Sequence, residues 1–173
     1  CSSDPPARLG EAARAALLWP NLLSFMGLRD LRTAITGAAP VPPELLRWFM
    51  GIGIILREAY GMTETCGFCT ANPRDAVRVG YAGLSARGTE VRIADQAEIL
   101  VRGPNVFAGY WGRPEQTRET IDAEGWLHTG DCGEFDADGY LRIRDRIKDI
   151  LITSGGKNIN PSDIENRLKF NPY

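Results

Sequence analysis

The sequence predicts an α/β segment followed by an antiparallel β segment, and three observations carry that expectation. Residues 31–58 read as strand, helix, strand, which implies one parallel βαβ unit by the usual crossover rule. After about residue 75 helical periodicity nearly vanishes and apolar residues alternate with polar ones. Glycine is abundant, 19 residues, as tight turns and close backbone approaches require.

The elements follow in order. Leu9, Ala12, Ala13, Ala16 and Leu17 recur at helical spacing, so a helix is expected over 7–19, ended by Pro20-Asn21. Leu31 to Thr36 reads as a short strand, and Gly37-Ala38-Ala39-Pro40 as a turn. Pro42 and Pro43 suit the first turn of a helix over Glu44 to Met50, closed by Gly51. Ile52 to Glu58 is a second apolar strand. Thr89 to Ile93 and Glu98 to Arg102 alternate with period two, and Phe135 to Tyr140 is a hairpin turn before Leu141 to Arg144. One short helix, Pro114 to Ile121, interrupts this β stretch, which reads as a small antiparallel sheet or distorted barrel. Beyond Arg146 come a strand at Ile150 to Ile152, a Ser154-Gly155-Gly156 loop and a helix from Pro161 to Leu168. The expected division is therefore 1–75, an α/β subdomain; 76–145, a β-barrel-like subdomain; and 146–173, the opening of a further domain.

Composition narrows the function classes. Hydrophobic residues make up 43% and charged ones 24%, ordinary for a folded soluble chain. Twenty basic against 22 acidic residues give a net charge of −2, which leaves no electrostatic footprint for nucleic acid. The apolar runs are far shorter than the roughly 20 residues of a membrane helix. Asp4, Pro5 and Pro6 stand where a secretory leader would be basic. Four cysteines do not make a disulfide scaffold, so a reducing cytoplasm is expected. A chain that opens on Cys1 and stops at Asn171-Pro172-Tyr173 reads as a piece of a longer protein.

Three segments offer chemistry. Tyr60-Gly61-Met62-Thr63-Glu64-Thr65 follows an apolar strand, where α/β sheets place ligands; Thr63 offers a hydroxyl to phosphate and Glu64 a hard oxygen to Mg²⁺. In Trp126-Leu127-His128-Thr129-Gly130-Asp131 a turn at Gly130 would aim Asp131 into a cleft, where its two oxygens could take both hydroxyls of a ribose. In Asp145-Arg146-Ile147-Lys148-Asp149 the Arg fork could read ribose or phosphate oxygens. Rival readings stand beside these. Cys66, Cys69, His128 and Cys132 could form a structural zinc set, making the chain a zinc-stapled binding module. Glu134, Asp136, Asp138, Gly139 and Asp145 have calcium-loop spacing, although period-two flanks favour a hairpin. Gly155-Gly156-Lys157 is not a phosphate loop, because Leu151 occupies the required glycine position and Asn158 that of Ser or Thr.

Five segments in order carry a resemblance: Thr36 to Pro40; Tyr60 to Glu64; Gly103 to Trp111; Thr129-Gly130-Asp131 with Asp145-Arg146; and Thr153 to Ile159 followed by Pro161 and Ile164-Glu165. Together they resemble the adenylate-forming acid–CoA ligases, the superfamily of acyl-CoA synthetases, luciferases and peptide-synthetase adenylation domains. The wording from Ser154 to Ile159 and the tail from Asn166 is most similar to the long-chain fatty acid branch. The resemblance implies part of the large N-terminal domain of such an enzyme with the start of its small C-terminal α+β domain. It implies ATP-dependent conversion of a fatty acid to acyl-AMP, then transfer to coenzyme A. It assigns Glu64 to Mg²⁺, Thr63 to phosphate, Tyr60 and Gly37-Ala38-Ala39 to adenine, and Asp131 with Arg146 to ribose. Lys148 falls on the family's hinge, and Gly155 and Gly156 on the route of the thiol arm. The family's phosphate loop and C-terminal catalytic lysine have no counterpart in these residues, so the chain by itself is expected to be inactive. An acyl-AMP ligase passing its product to a carrier protein is the alternative. Peripheral membrane contact through the acyl substrate and a homo-oligomer are left open.

Overall fold

The computed structural model describes residues 18–147 and the backbone of 151–152 and 158–159. Residues 7–17 of the helix expected over 7–19, the helix from Pro161, Lys148, Gly155 and Gly156 lie outside the described residues. Residues 18–25 are helical, so the helix runs past Pro20 instead of ending there. Proline obstructs the turn that precedes it, whereas later residues close their bonds normally: the Met26 amide donates to the Leu22 carbonyl at 2.9 Å.

Strand β1 spans Ala34–Thr36, helix α1 Pro43–Gly51 and strand β2 Leu56–Tyr60. The strands pair in parallel, Ala34 opposite Leu56 and Thr36 opposite Glu58, as a βαβ unit demands. The second strand begins later than the apolar run suggests. Ile52 ends α1, its amide reaching the Trp48 and Phe49 carbonyls, and the Ile54 amide folds back to Phe49. Both isoleucines are buried as part of the helix turn, so their apolarity belongs to that turn and not to the strand.

The chain then reverses through two very short strands, β3 at Thr70–Ala71 and β4 at Leu84–Ser85, both antiparallel, giving the order β1-β2-β3-β4. Asn72 fastens the loop between them: its side-chain amide donates to the Tyr81 and Glu58 carbonyls while its oxygen accepts the Arg78 amide.

A second four-stranded sheet is a plain meander: β5 Glu90–Ile93, β6 Glu98–Arg102, β7 Leu127–Phe135 and β8 Leu141–Arg146. Helix α2, Pro114–Thr120, sits between β6 and β7. Cys69, Ile99, Val101, Leu127 and Leu141 form its core, and Tyr60 and Met62 pack against them. The short strands β9 at Leu151–Ile152 and β10 at Asn158–Ile159 pair antiparallel. The architecture is thus α/β followed by antiparallel β, as the sequence predicts. Among the described residues no helix is long and apolar enough to cross a membrane.

Candidate active site

The loops that leave the parallel strands supply one side of the site. After β1 the chain turns through Gly37, Ala38 and Ala39, all exposed. A side chain at Gly37 would meet the Ala59 carbonyl at 2.8 Å, so this turn lies against the end of β2. Ala38 has a φ of +66°, the left-handed region that costs a non-glycine residue roughly 1–2 kcal/mol. After β2, Gly61 lets the backbone touch Gly67 and Phe68, where any β-carbon would collide. Thr63–Thr65 form one 3-10 turn, closed by Cys66 at a φ of +52°. The buried Thr65 hydroxyl holds that turn, accepting the Met62 amide and donating to the Met62 carbonyl, each at 2.9 Å. Non-glycine residues thus sit in left-handed conformations in both loops, a strain that tends to gather at ligand sites.

The antiparallel sheet supplies the other side. The sequence reading makes Gly130 a turn; instead β7 runs straight through it, with Gly130 at a φ of +70° inside the strand. Glu98 pins this distortion from the neighbouring strand, accepting the Gly130 amide at 3.1 Å and contacting His128 Nδ1 at 2.9 Å. The Thr129 hydroxyl donates to the Ile99 carbonyl and accepts the Asp131 amide.

A bulge between Cys132 and Gly133 decides what faces Asp131. Phe135 lies opposite Leu141 and Gly133 opposite Ile143; unbroken, that register would set Asp131 against Asp145. The extra residue shifts it by one, so Asp131 pairs with Arg146 instead of a second carboxylate. Arg146 Nε lies 3.4 Å from Asp131 Oδ1. The Tyr60 hydroxyl donates to the other oxygen, Asp131 Oδ2, at 2.7 Å. Burial above all, with help from the Asp131 charge, holds the Tyr60 phenol well above its ordinary pKa, so it remains a donor. Asp131 is 14% exposed and Arg146 74%, so the carboxylate is set back under a guanidinium that solvent still reaches.

Tyr60, Asp131 and Arg146, separated widely in sequence, therefore meet. Glu64 is half-buried on the same loop side, its Oε1 accepting the Tyr110 hydroxyl at 2.7 Å. Thr63 is exposed beside it. Tyr110 falls in the Gly103 to Trp111 segment, to which the sequence gives no chemical role; nothing local in the sequence marks its pairing with Glu64. Glu98 is equally unmarked, a single acid at the start of an apolar strand.

The rival metal readings fail on the same geometry. Among the described residues no three His, Cys, Asp or Glu side chains gather where a metal ion could be held. Cys69 donates to the Tyr60 carbonyl from within the core, Cys132 points to the Gln96 carbonyl, and His128 is taken by Glu98. The calcium spacing belongs to the β7–β8 hairpin: Glu134 pairs with Arg144, and Asp136 and Asp138 both hold Arg78.

Known proteins resemble this chain in sequence and fold. The family model described as AMP-binding enzyme matches residues 8–111. fadD11 of Mycobacterium tuberculosis, named as a fatty-acid–CoA ligase, is 46% identical over 162 residues, which is 92% of this chain and 28% of that protein. A feruloyl-CoA synthase of an Amycolatopsis species is 42% identical over 153 residues, 82% of this chain and 31% of its own length. The chain thus spans under a third of the curated relatives named here. Among solved structures, O-succinylbenzoate coenzyme A synthetase (MenE) from Bacillus subtilis, in complex with ATP and magnesium ion, aligns with a TM-score of 0.73 and 31% identity, over 88% of this chain and 35% of that one. With well over half of its residues inside the family match, and with this fold, the chain belongs to the AMP-binding enzyme family.

Proposed function

We propose that this chain is part of an AMP-forming acid–thiol ligase that activates a long-chain fatty acid with ATP and passes the acyl group to coenzyme A. The observation that carries the reading is the Tyr60–Asp131–Arg146 cluster beside the Ala38 turn. Asp131 would accept the ribose hydroxyls, since each carboxylate oxygen keeps acceptor capacity beyond its present bond. Arg146 would cover the ribose from the solvent side. Tyr60 and the Gly37-Ala38-Ala39 backbone would flank adenine, and Thr63 would meet phosphate. Lys148 would be the hinge, with Gly155 and Gly156 along the thiol route. The division at about residues 75 and 145 remains the proposed domain plan.

The donor set suits Mg²⁺. One carboxylate, Glu64, stands next to the exposed Thr63, and among the described residues no three His, Cys, Asp or Glu side chains gather to cage an ion. Mg²⁺ keeps several waters and is commonly held by one or two carboxylates plus substrate phosphates, not by an all-protein cage. Bound there, it would neutralise phosphate charge. In the first step a carboxylate oxygen of the acid attacks the α-phosphorus and the bond to pyrophosphate breaks. In the second the coenzyme A thiol attacks the acyl carbon, AMP leaves and the thiol proton is released. The residues in hand would bind and orient the nucleotide, which is where positioning contributes to rate.

The fatty-acid–CoA ligase name of one relative supports the fatty substrate; the feruloyl-CoA synthase supports an aromatic acid as a second reading. Acid-dependent exchange of pyrophosphate into ATP separates them when run on the whole protein that contains this sequence. Exchange with a long-chain fatty acid and none with ferulate is expected. Exchange with ferulate alone would move the substrate to the aromatic class, and exchange with neither would overturn both.

A further inference from the structure

We infer that Tyr110 is a positioning residue for Glu64, fixing the carboxylate that is to meet the metal-bound phosphates; this rests on the reading of Glu64 proposed above. Three contacts from the segment between β6 and α2 brace the Glu64 loop. Asn105 Nδ2 donates to the Thr65 carbonyl at 3.4 Å, the Phe107 amide donates to the Glu64 carbonyl at 2.8 Å, and the Tyr110 hydroxyl donates to Glu64 Oε1 at 2.7 Å. The first two hold backbone. Only the third reaches the functional group.

Tyr110 is itself held. Its amide donates to the Thr117 hydroxyl at 2.9 Å, and that hydroxyl donates to the Arg113 carbonyl, tying it to the first turn of α2. Its ring meets Phe107 edge-on with centroids 4.8 Å apart. The phenol thus has a fixed origin and direction, and so does the oxygen it binds.

The choice of partner matters. Glu90, Glu134 and Asp136 each meet an arginine. Among the described residues no Lys, Arg or His forms an ion pair with Glu64; its partner is a neutral phenol. A neutral donor orients a carboxylate without cancelling its charge, which a divalent cation requires. Partners of this outer kind often change metal affinity by about 10–100-fold when removed.

The test uses the whole protein that contains this sequence, with Mn²⁺ as the metal probe followed by electron paramagnetic resonance in the presence of ATP. Metal-free ATP affinity is measured separately in EDTA. Tyr110→Phe keeps the ring on Phe107 and removes only the hydroxyl. The expected result is about tenfold weaker Mn²⁺ binding in Tyr110→Phe, unchanged metal-free ATP affinity, and no further loss when Tyr110→Phe is added to Glu64→Gln. Mn²⁺ affinity unaltered in Tyr110→Phe, while Glu64→Gln weakens it, would overturn the positioning role and leave the Glu64 reading intact. Equal losses with and without metal would make Tyr110 a packing residue only. Mn²⁺ binding unaffected by Glu64→Gln would overturn the Glu64 reading itself, and Tyr110's role with it.

Discussion

The antiparallel sheet and the α/β segment finish their packing differently. In β6 to β8, Ile99, Val101, Leu127 and Leu141 are 0% exposed. On the helix at 18–25 and around β1 to β2, Phe25 is 90% exposed, Trp48 52%, Ile55 51% and Ile35 48%. The α/β stretch is the more apolar of the two in sequence, yet it is the one left open; what decides is the geometry of completion. A meander buries one face with neighbours a few residues away. A parallel pair needs layers on both faces, and here α1 and the 18–25 helix leave apolar side chains open. The candidate site lies where the two meet, with Tyr60 anchored on the sealed side and Ala38 on the open one.

Leu127→Ala, in the sealed core, should cost about 3 kcal/mol in urea unfolding, whereas Phe25→Ala should change stability by under about 0.5 kcal/mol. A large cost at Phe25 would show that the open face is covered in solution. Titration attacks the sealed side next. Burial pushes the Cys69 thiol up to about 12, and Tyr60 is raised in the same direction. In the unfolded chain a cysteine loses its proton near 8.5, so the native state holds more protons in between and stability falls as pH rises from about 9 towards 12. Replacing Cys69 with Ala should flatten that fall; an unchanged alkaline profile would mean that the core does not seal Cys69. Finally, Ala38→Gly should raise stability by about 1 kcal/mol by relieving the left-handed backbone. No gain in melting temperature would mean that the turn is not held as strained.

Much of the fold was legible in local pattern. Pro43 at the start of α1 and the alternation in β5 and β8 need only short windows of sequence; β6, expected to alternate, instead buries Ile99, Leu100 and Val101 in a row. The start of β2 was not, because Ile52 and Ile54 serve the end of a helix while looking like a strand. The two-residue strands β3 and β4 carry no period to read. In the site, the residue types at Glu64, Asp131 and Arg146 suggest nucleotide chemistry, whereas Tyr60 enters only through the family resemblance. The bulge at Cys132 and Gly133, which turns Asp131 from Asp145 to Arg146, left no trace in the alternation on either side. The Tyr110–Glu64 bond joins residues 46 apart in sequence, a pairing that no local pattern encodes.

AMP binding to the whole protein that contains this sequence and to its Asp131→Ala variant, measured by isothermal titration calorimetry, decides whether Asp131 and Arg146 form a ribose site beside Tyr60. AMP is expected to bind, and Asp131→Ala to weaken binding at least tenfold, since a charge-assisted hydrogen bond contributes about 1.5–3 kcal/mol. AMP bound equally well by both proteins, or by neither, would contradict it.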